Sequence, residues 1–426
     1  MKSIFFHLQG YRELPDDFRE RYESIWATAP NKELCDPRKV HQYLNWNIDE
    51  LELADDLGFD GIGVNEHHSN GYSFSGSPNL AASILARKKS DAAIMVLGNT
   101  LVQYNPPTRV AEELATLDCM SGGRIIAGMP VGSPMDTTIV HGITPTEVRS
   151  RYFEAHDLIK RAWTESGPFP FNGKYNKLRY VNPWPQPYQQ DPHPPIWLGG
   201  GGSPETWKFA TDNDYVYTYL SWGGHKYGKQ LMDGFWQTVE QAGLDDNPYR
   251  AGFAQVVVVA DTDAEAEKIY MPHIRDFYDK AMYVAPHHAF VPGYFKKAAL
   301  QSFLGKPGQS KKNAPFGVPA GRDMTWKQHV EEDAMVIGGS PATVVDKLTA
   351  AVKSLRVGHL MVILQLSTMT REQTERNIRL FAEQVMPKIS HIWDGHGYQD
   401  HWWPTGATRN SDLSVPQSGA TTEVSA

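Results

Sequence analysis

Short apolar runs with little polar alternation recur along the chain, at Ser3–Leu8, Gly61–Val64, Ala93–Gly98, Arg124–Gly128, Ile196–Gly199, Tyr215–Tyr219, Phe253–Ala260 and His359–Leu366. Runs such as IMVLG, QVVVVA and LMVILQL are apolar at both parities, which is the pattern of strands buried on both faces. Helix-period segments separate most of them. Leu44, Ile48, Leu51, Ala54 and Leu57 follow one another at helical steps, and Gly58 is a stop signal. Val110, Leu114, Leu117 and Met120 mark a second helix, ended by Gly122-Gly123. Val345, Leu348, Val352 and Leu355 precede the last strand, and Ile378, Phe381, Ala382 and Val385 follow it. Strands alternating with helices in this way predict a (β/α)8 TIM barrel rather than a doubly wound sheet.

Three stretches exceed the minimal barrel. Residues 128–145 form a Gly/Pro-punctuated loop. Residues 166–195 carry too many prolines for a regular helix. Residues 271–333 are a long insertion with its own aromatic and basic residues, of the kind that builds lids and pockets. The reading is one barrel over 1–393, with a Gly/Ser/Thr-rich extension over 394–426 expected to be a mobile tail.

Composition narrows the function. The chain has 426 residues, with Lys+Arg 41 against Asp+Glu 49, a net charge of −8. That balance argues against nucleic-acid binding, which needs a basic stripe. Two cysteines are too few for a disulfide framework or a thiolate zinc site. No apolar run approaches the length of a membrane span, and the first residues do not read as a signal peptide. A soluble, cytoplasmic enzyme is the expectation.

In a barrel the chemistry sits where strands end at their carboxyl edge. The most informative such segment is Gly199-Gly200-Gly201-Gly202-Ser203, followed by Pro204. Four glycines let a ligand approach the backbone, and Ser203 with Pro204 should start a helix. Its free N–H groups, with the Ser203 and Thr206 hydroxyls, suit a phosphate; the plainer reading is an ordinary capped turn. Glu66-His67-His68 follows the second strand. Alternation allows one histidine to face the barrel mouth as an acid–base group, while a metal would need further ligands from other strands. Asn99 and Gly128 end the third and fourth strands. Tyr219 and Trp222 end the sixth, within an aromatic set that includes Phe290, Tyr294 and Phe295, and suggest an apolar substrate pocket.

These segments together resemble the bacterial luciferase-like family of flavin-dependent monooxygenases. The resemblance runs through GFDGIGVNEHH, LGNTLVQYNPPTRVAEELATLDCMSGGRIIAGMPVG, TPTEVRSRYFEAHDLIKRAW and VNPWPQPYQQDPHPPIWLGGGGSPETWKFA, in order over most of residues 1–220, and continues in GGSPATVVDKL and LMVILQL. It implies a barrel that binds reduced FMN (FMNH2) at its carboxyl face. His67 would be the catalytic histidine. Asn99 would lie under the isoalloxazine, with a non-prolyl cis peptide around Gly98–Asn99–Thr100, and Gly128 would belong to the cofactor site. Gly201, Gly202, Ser203 and Thr206 would hold the phosphate, while Tyr219 and Trp222 would contact substrate. The long insertion matches the family's pocket lid.

One departure stands out. The family's basic residue in the loop after the fourth strand is Val131 here, which implies either weaker phosphate binding or a substitute among Arg109, Arg149 and Arg151. The implied reaction uses reduced flavin and O2 to form a C4a-peroxyflavin that inserts one oxygen atom into a small hydrophobic organic substrate. A separate NAD(P)H:flavin reductase would supply the flavin, since no dinucleotide-binding glycine motif follows a strand. A homodimer or higher homo-oligomer is expected. The alternatives are a deazaflavin-dependent oxidoreductase on the same barrel, or a metal-dependent hydrolase using Glu66, His67 and His68.

Overall fold

A computed structural model describes residues 1–295, 324–366 and 368–408. Its strands are β1 (Lys2–His7), β2 (Gly61–Val64), β3 (Ala93–Leu97), β4 (Ile125–Gly128), β5 (Phe169–Asn172), β6 (Lys177–Val181), β7 (Ile196–Gly200), β8 (Val216–Leu220), β9 (Ala251–Val259), β10 (Val336–Gly339) and β11 (His359–Ile363). The main sheet runs β10-β9-β11-β1-β2-β3-β4-β7-β8, all parallel, and a β8–β9 pairing closes it. The closed ring is therefore an eight-stranded parallel barrel, as the alternation of strands and helices predicts. Its longer helices include α1 (Pro37–Asp56), α2 (Pro78–Arg87), α3 (Thr108–Ser121), α4 (Val148–Thr164), α5 (Pro204–Asn213), α6 (His225–Gln241), α7 (Asp263–Asp276), α8 (Pro341–Leu355) and α9 (Arg371–Leu380).

The two-sided apolar runs divide cleanly between two cores. Ile4, Phe6, Met95, Leu97, Ile126, Trp197, Val216, Val256 and Met361 fill the barrel interior. The residues of opposite parity, among them Phe5, Ile94, Val96, Ala127, Leu198, Tyr217, Tyr219, Val257 and Leu360, pack outward against the helices. Strand period two thus fixes which side chains can reach the mouth.

Three elements differ from the sequence expectation. β10 is a further short strand: it pairs with Val256–Val259, beyond the point where β8 leaves the β9 edge. The proline-rich 166–195 segment holds the antiparallel β5–β6 hairpin. The stretch 394–408, expected as part of a mobile tail, packs across the amino-terminal end of the barrel. There Trp402 is buried, its Nε1 donates to the Asp214 carbonyl at 2.8 Å, and Asp400 meets His359 Nε2 at 3.0 Å. Trp403 stacks on the His359 ring at 5.8 Å. Aromatic burial overrides the polar composition of this segment. Residues 409–426 lie outside the described residues. So does 296–323 of the 271–333 insertion, whose first residues instead continue α7 into a π turn at Phe277–Ala281.

Candidate functional site at the carboxyl mouth

A cavity of about 220 Å³ opens at the carboxyl ends of the strands. It is lined by Phe6, Leu97 and Gly98, by the glycine loop after β7, and by the aromatic rings of Trp26, Tyr72 and Trp222. Ala289, Phe290, Tyr294 and Phe295 of the insertion close over it. The Tyr294 hydroxyl donates to the Gly132 carbonyl and so fastens this cover to the loop after β4.

His67 lies on the cavity wall, as the motif predicts, and His68 turns away, as alternation requires. The partner of His67 is Asp136, which the sequence reading did not single out. His67 Nδ1 is 2.8 Å from Asp136 Oδ2, and the same oxygen accepts from Ser133 Oγ at 2.7 Å. Oδ1 accepts from the His68 backbone N–H at 2.9 Å. Asp136 sits in a π turn, Met135–Val140, in the loop after β4. Burial pushes its carboxyl up, but the charge and hydrogen bond of His67, with those of Ser133 and His68, hold it below the usual range. An ionised Asp136 accepts the proton on Nδ1 and leaves Nε2 as the ring nitrogen for the cavity. Trp26 meets the His67 ring edge-on at 4.8 Å, and Tyr72 does so at 5.0 Å. The ring is fixed on three sides.

His68 belongs to a second network beside the wall. Its Nε2 is 3.0 Å from Glu66 Oε1, which also accepts from Tyr104 Oη at 2.8 Å. Glu66 Oε2 accepts from the Thr100 N–H. Burial lowers the His68 pKa, but the Glu66 hydrogen bond and charge raise it above its ordinary value overall. Glu66, His67 and His68 therefore do not converge on one point. Among the described residues, the His/carboxylate set close enough to share an ion is Glu23, His287 and His288, largely exposed and not on the cavity wall.

Four expected contacts are relocated. Asn99 is fully buried, and its Nδ2 donates to Tyr104 Oη at 3.1 Å, while its neighbours Gly98 and Thr100 line the cavity. The non-prolyl cis bond is Leu97–Gly98, at the edge of the expected segment. Gly128 lies behind the wall; a Cβ there would meet the Val96 carbonyl oxygen at 2.4 Å and Leu97 Cα at 2.5 Å, so its role is close packing of β3 on β4. Gly202 faces Leu231, with a φ of 108°, which favours glycine. Tyr219 points outward into the helix layer, donating to the Gly224 carbonyl at 3.3 Å, and Leu220 takes the cavity position. Trp222 lines the cavity as expected, edge-on to Tyr72 at 6.3 Å.

The glycine loop opens α5, with Ser203 at the N-cap and Pro204 at the first helical position. Gly199, Gly200, Gly201, Ser203 and Thr206 line the cavity, and a Cβ on Gly201 would meet nothing within 4 Å. The Ser203 hydroxyl does not cap its own helix; it accepts from Arg149 Nη2 at 3.2 Å. Of the three arginines considered, only Arg149 is at the cavity. Arg109 is largely exposed and paired with Glu113 at 2.6 Å, and Arg151 is paired with Glu147 at 2.9 Å.

No helix among the described residues is long and apolar enough to cross a membrane. The chain is similar to the oxygenase component of a flavin-dependent trigonelline monooxygenase from Acinetobacter baylyi, 28% identical over 42% of this chain and 49% of that one, about half its length. Its fold matches the oxygenating constituent of 3,6-diketocamphane monooxygenase from Pseudomonas putida, a type II Baeyer–Villiger monooxygenase solved with FMN. There the TM-score is 0.61, with 21% identity over 82% of this chain and 94% of that one. It also matches a coenzyme F420-dependent secondary alcohol dehydrogenase, with a TM-score of 0.60 and 17% identity over 91% and 98% of the two chains. The model of the luciferase-like monooxygenase family matches residues 25–358, and with the barrel and the histidine-bearing mouth already in place, the chain belongs to that family.

Proposed function

We propose that the chain is an FMN-dependent monooxygenase: it takes reduced FMN from a separate NAD(P)H:flavin reductase and uses O2 to insert one oxygen atom into a small, uncharged, hydrophobic substrate. The observation that carries this reading is that a glycine–hydroxyl loop, His67 and a set of aromatic rings line one and the same cavity. The residues fit the cofactor. Gly201 leaves room for a close approach, Ser203 and Thr206 offer hydroxyls, and Arg149 offers a charge. The flavin, when bound, supplies the redox chemistry with O2.

The protein supplies the surroundings. Gly199, Gly200, Gly201, Ser203 and Thr206, which line the cavity, would hold the phosphate end, and Leu97, Gly98 and Thr100 line the same cavity. Trp26, Tyr72, Trp222 and Phe290 give an apolar, water-excluding wall. Burial raises the Tyr72 hydroxyl pKa, so that wall carries no phenolate charge. His67, with Nδ1 held by Asp136, can hold or pass a proton at Nε2. Among the described residues, no Lys or Arg lines the aromatic side of the cavity, which supports an uncharged substrate.

The test is a fluorescence titration of the purified chain with oxidised and reduced FMN, then product analysis over ketone, terpene and aldehyde panels with a supplied reductase. FMN binding with O2-dependent product supports the reading. Binding of coenzyme F420 in place of FMN, with O2-independent turnover, would overturn it in favour of a dehydrogenase.

A further inference from the structure

We propose that Arg149 is the cation of the flavin-phosphate site and that Glu205 competes with the phosphate for it, so that loading FMN opens an ion pair inside the site. The assignment rests on the FMN reading above. In the loop after β4, where the family resemblance places a basic residue, the cavity wall presents Val131 instead. Arg149 enters from another element, as the second residue of α4. Its Nη2 donates to Ser203 Oγ at 3.2 Å, and its Nε lies 3.5 Å from Glu205 Oε2. Glu205 Oε2 is itself 3.4 Å from Ser203 Oγ. One hydroxyl of the phosphate cradle is thus shared between a guanidinium and a carboxylate.

The electrostatics follow from this geometry. A phosphate held by hydroxyls and backbone N–H groups still needs a counter-charge, and a carboxylate this close to Ser203 repels it. Arg149 is the group on the cavity wall that can answer both. Its planar fork can keep Ser203 with one nitrogen and turn another from Glu205 to a phosphate oxygen. With 32% of its side chain exposed, Glu205 lies at the solvent edge of the site. The arrangement weakens phosphate binding relative to an unopposed arginine, which suits a flavin that exchanges with a reductase instead of staying bound.

The test compares FMN with riboflavin, which lacks the phosphate, by fluorescence titration of the whole chain. Arg149→Ala should weaken FMN about 10- to 100-fold, the size of a lost charge-assisted contact, and leave riboflavin unchanged. Glu205→Gln should tighten FMN by about 3- to 10-fold, again with no change for riboflavin. Unchanged FMN affinity in Arg149→Ala, an equal loss of both flavins, or weaker FMN binding in Glu205→Gln overturns the assignment while leaving the cofactor intact. A wild-type chain that binds neither flavin overturns the FMN reading and the assignment with it.

Discussion

Replacing Asp136 by Asn tests how His67 is prepared. The substitution keeps shape and volume but removes the charge and one acceptor. Asp136 receives three donors: His67 Nδ1 at 2.8 Å, Ser133 Oγ at 2.7 Å and the His68 N–H at 2.9 Å. The His68 amide cannot change its chemistry, so the carboxamide oxygen must stay with it. The new NH2 then faces His67 Nδ1, and the ring can meet it only by becoming an acceptor there. The proton moves to Nε2, and the nitrogen facing the cavity changes from acceptor to donor. Exchanging a charge-assisted hydrogen bond for a neutral one costs about 1–1.5 kcal/mol, or roughly 5- to 10-fold in rate at about 1.4 kcal/mol per tenfold.

The expected outcome is a fall of that size in product formed per NAD(P)H consumed, with H2O2 rising, while FMN affinity by fluorescence titration stays within about twofold. The pH dependence has a defined sign. The Asp136 pKa in the folded chain lies below its ordinary 3.8. Its contribution to stability is therefore complete above that value and is lost as pH falls through the folded value. Denaturation profiles of the Asn variant should lack this acid-side loss. Coupled turnover at the wild-type level, or an unaltered acid limb, would refute the argument.

Further consequences follow from the packing. Trp402→Ala removes a buried indole, its 2.8 Å bond to the Asp214 carbonyl and the contact of Arg250 4.9 Å from its ring; urea denaturation should show a loss of about 3–5 kcal/mol, and a change below about 1 kcal/mol would mean that the strap does not hold in solution. Trp222→Ala should shift KM and the range of substrates accepted, because Trp222 is a cavity wall. Tyr219→Phe removes the hydroxyl that donates to the Gly224 carbonyl at 3.3 Å, so KM should be unchanged and stability lower by about 0.5–1.5 kcal/mol; the reverse ranking of the two variants in KM would show that the outward placement of Tyr219 is wrong.

The fold was legible because a (β/α)8 barrel writes its core twice. Each inner strand must be apolar toward the barrel interior and toward the helix layer, so runs such as IMVLG betray their burial without any tertiary information. What escaped was short or shielded by local signals. Val336–Gly339 offers four residues, two of them glycine, and borders an irregular insertion. The β5–β6 hairpin sits among prolines that argue against regular structure, although they flank its strands more than they interrupt them. The 394–408 strap reads as polar overall, and its anchoring depends on where Trp402 and Trp403 land, not on any period.

The site divides along the same line. That His67, Ser203 and Thr206 line the cavity could be anticipated because each belongs to a motif whose local geometry is self-contained: a strand end or a helix start. Tyr219 was misplaced because strand position gives nearness to the mouth but not facing. In a parallel sheet, residues in register share a face, and the pairing of Trp197 with Val216 puts Val216, Thr218 and Leu220 inward and Tyr219 outward. That phase exists only once the register is known. Asp136 lies 69 residues from His67 in sequence, in a π turn without hydrophobic periodicity, so nothing local marks it as the partner. Arg149 sits on a well-formed helix, yet its use depends on which face of α4 meets the Ser203 turn. The motif residues that line the cavity were visible in the sequence. The residues that set their charge and tautomer come from loops and helix faces that only the closed barrel brings together, and substitutions there should alter function without disturbing the motifs themselves.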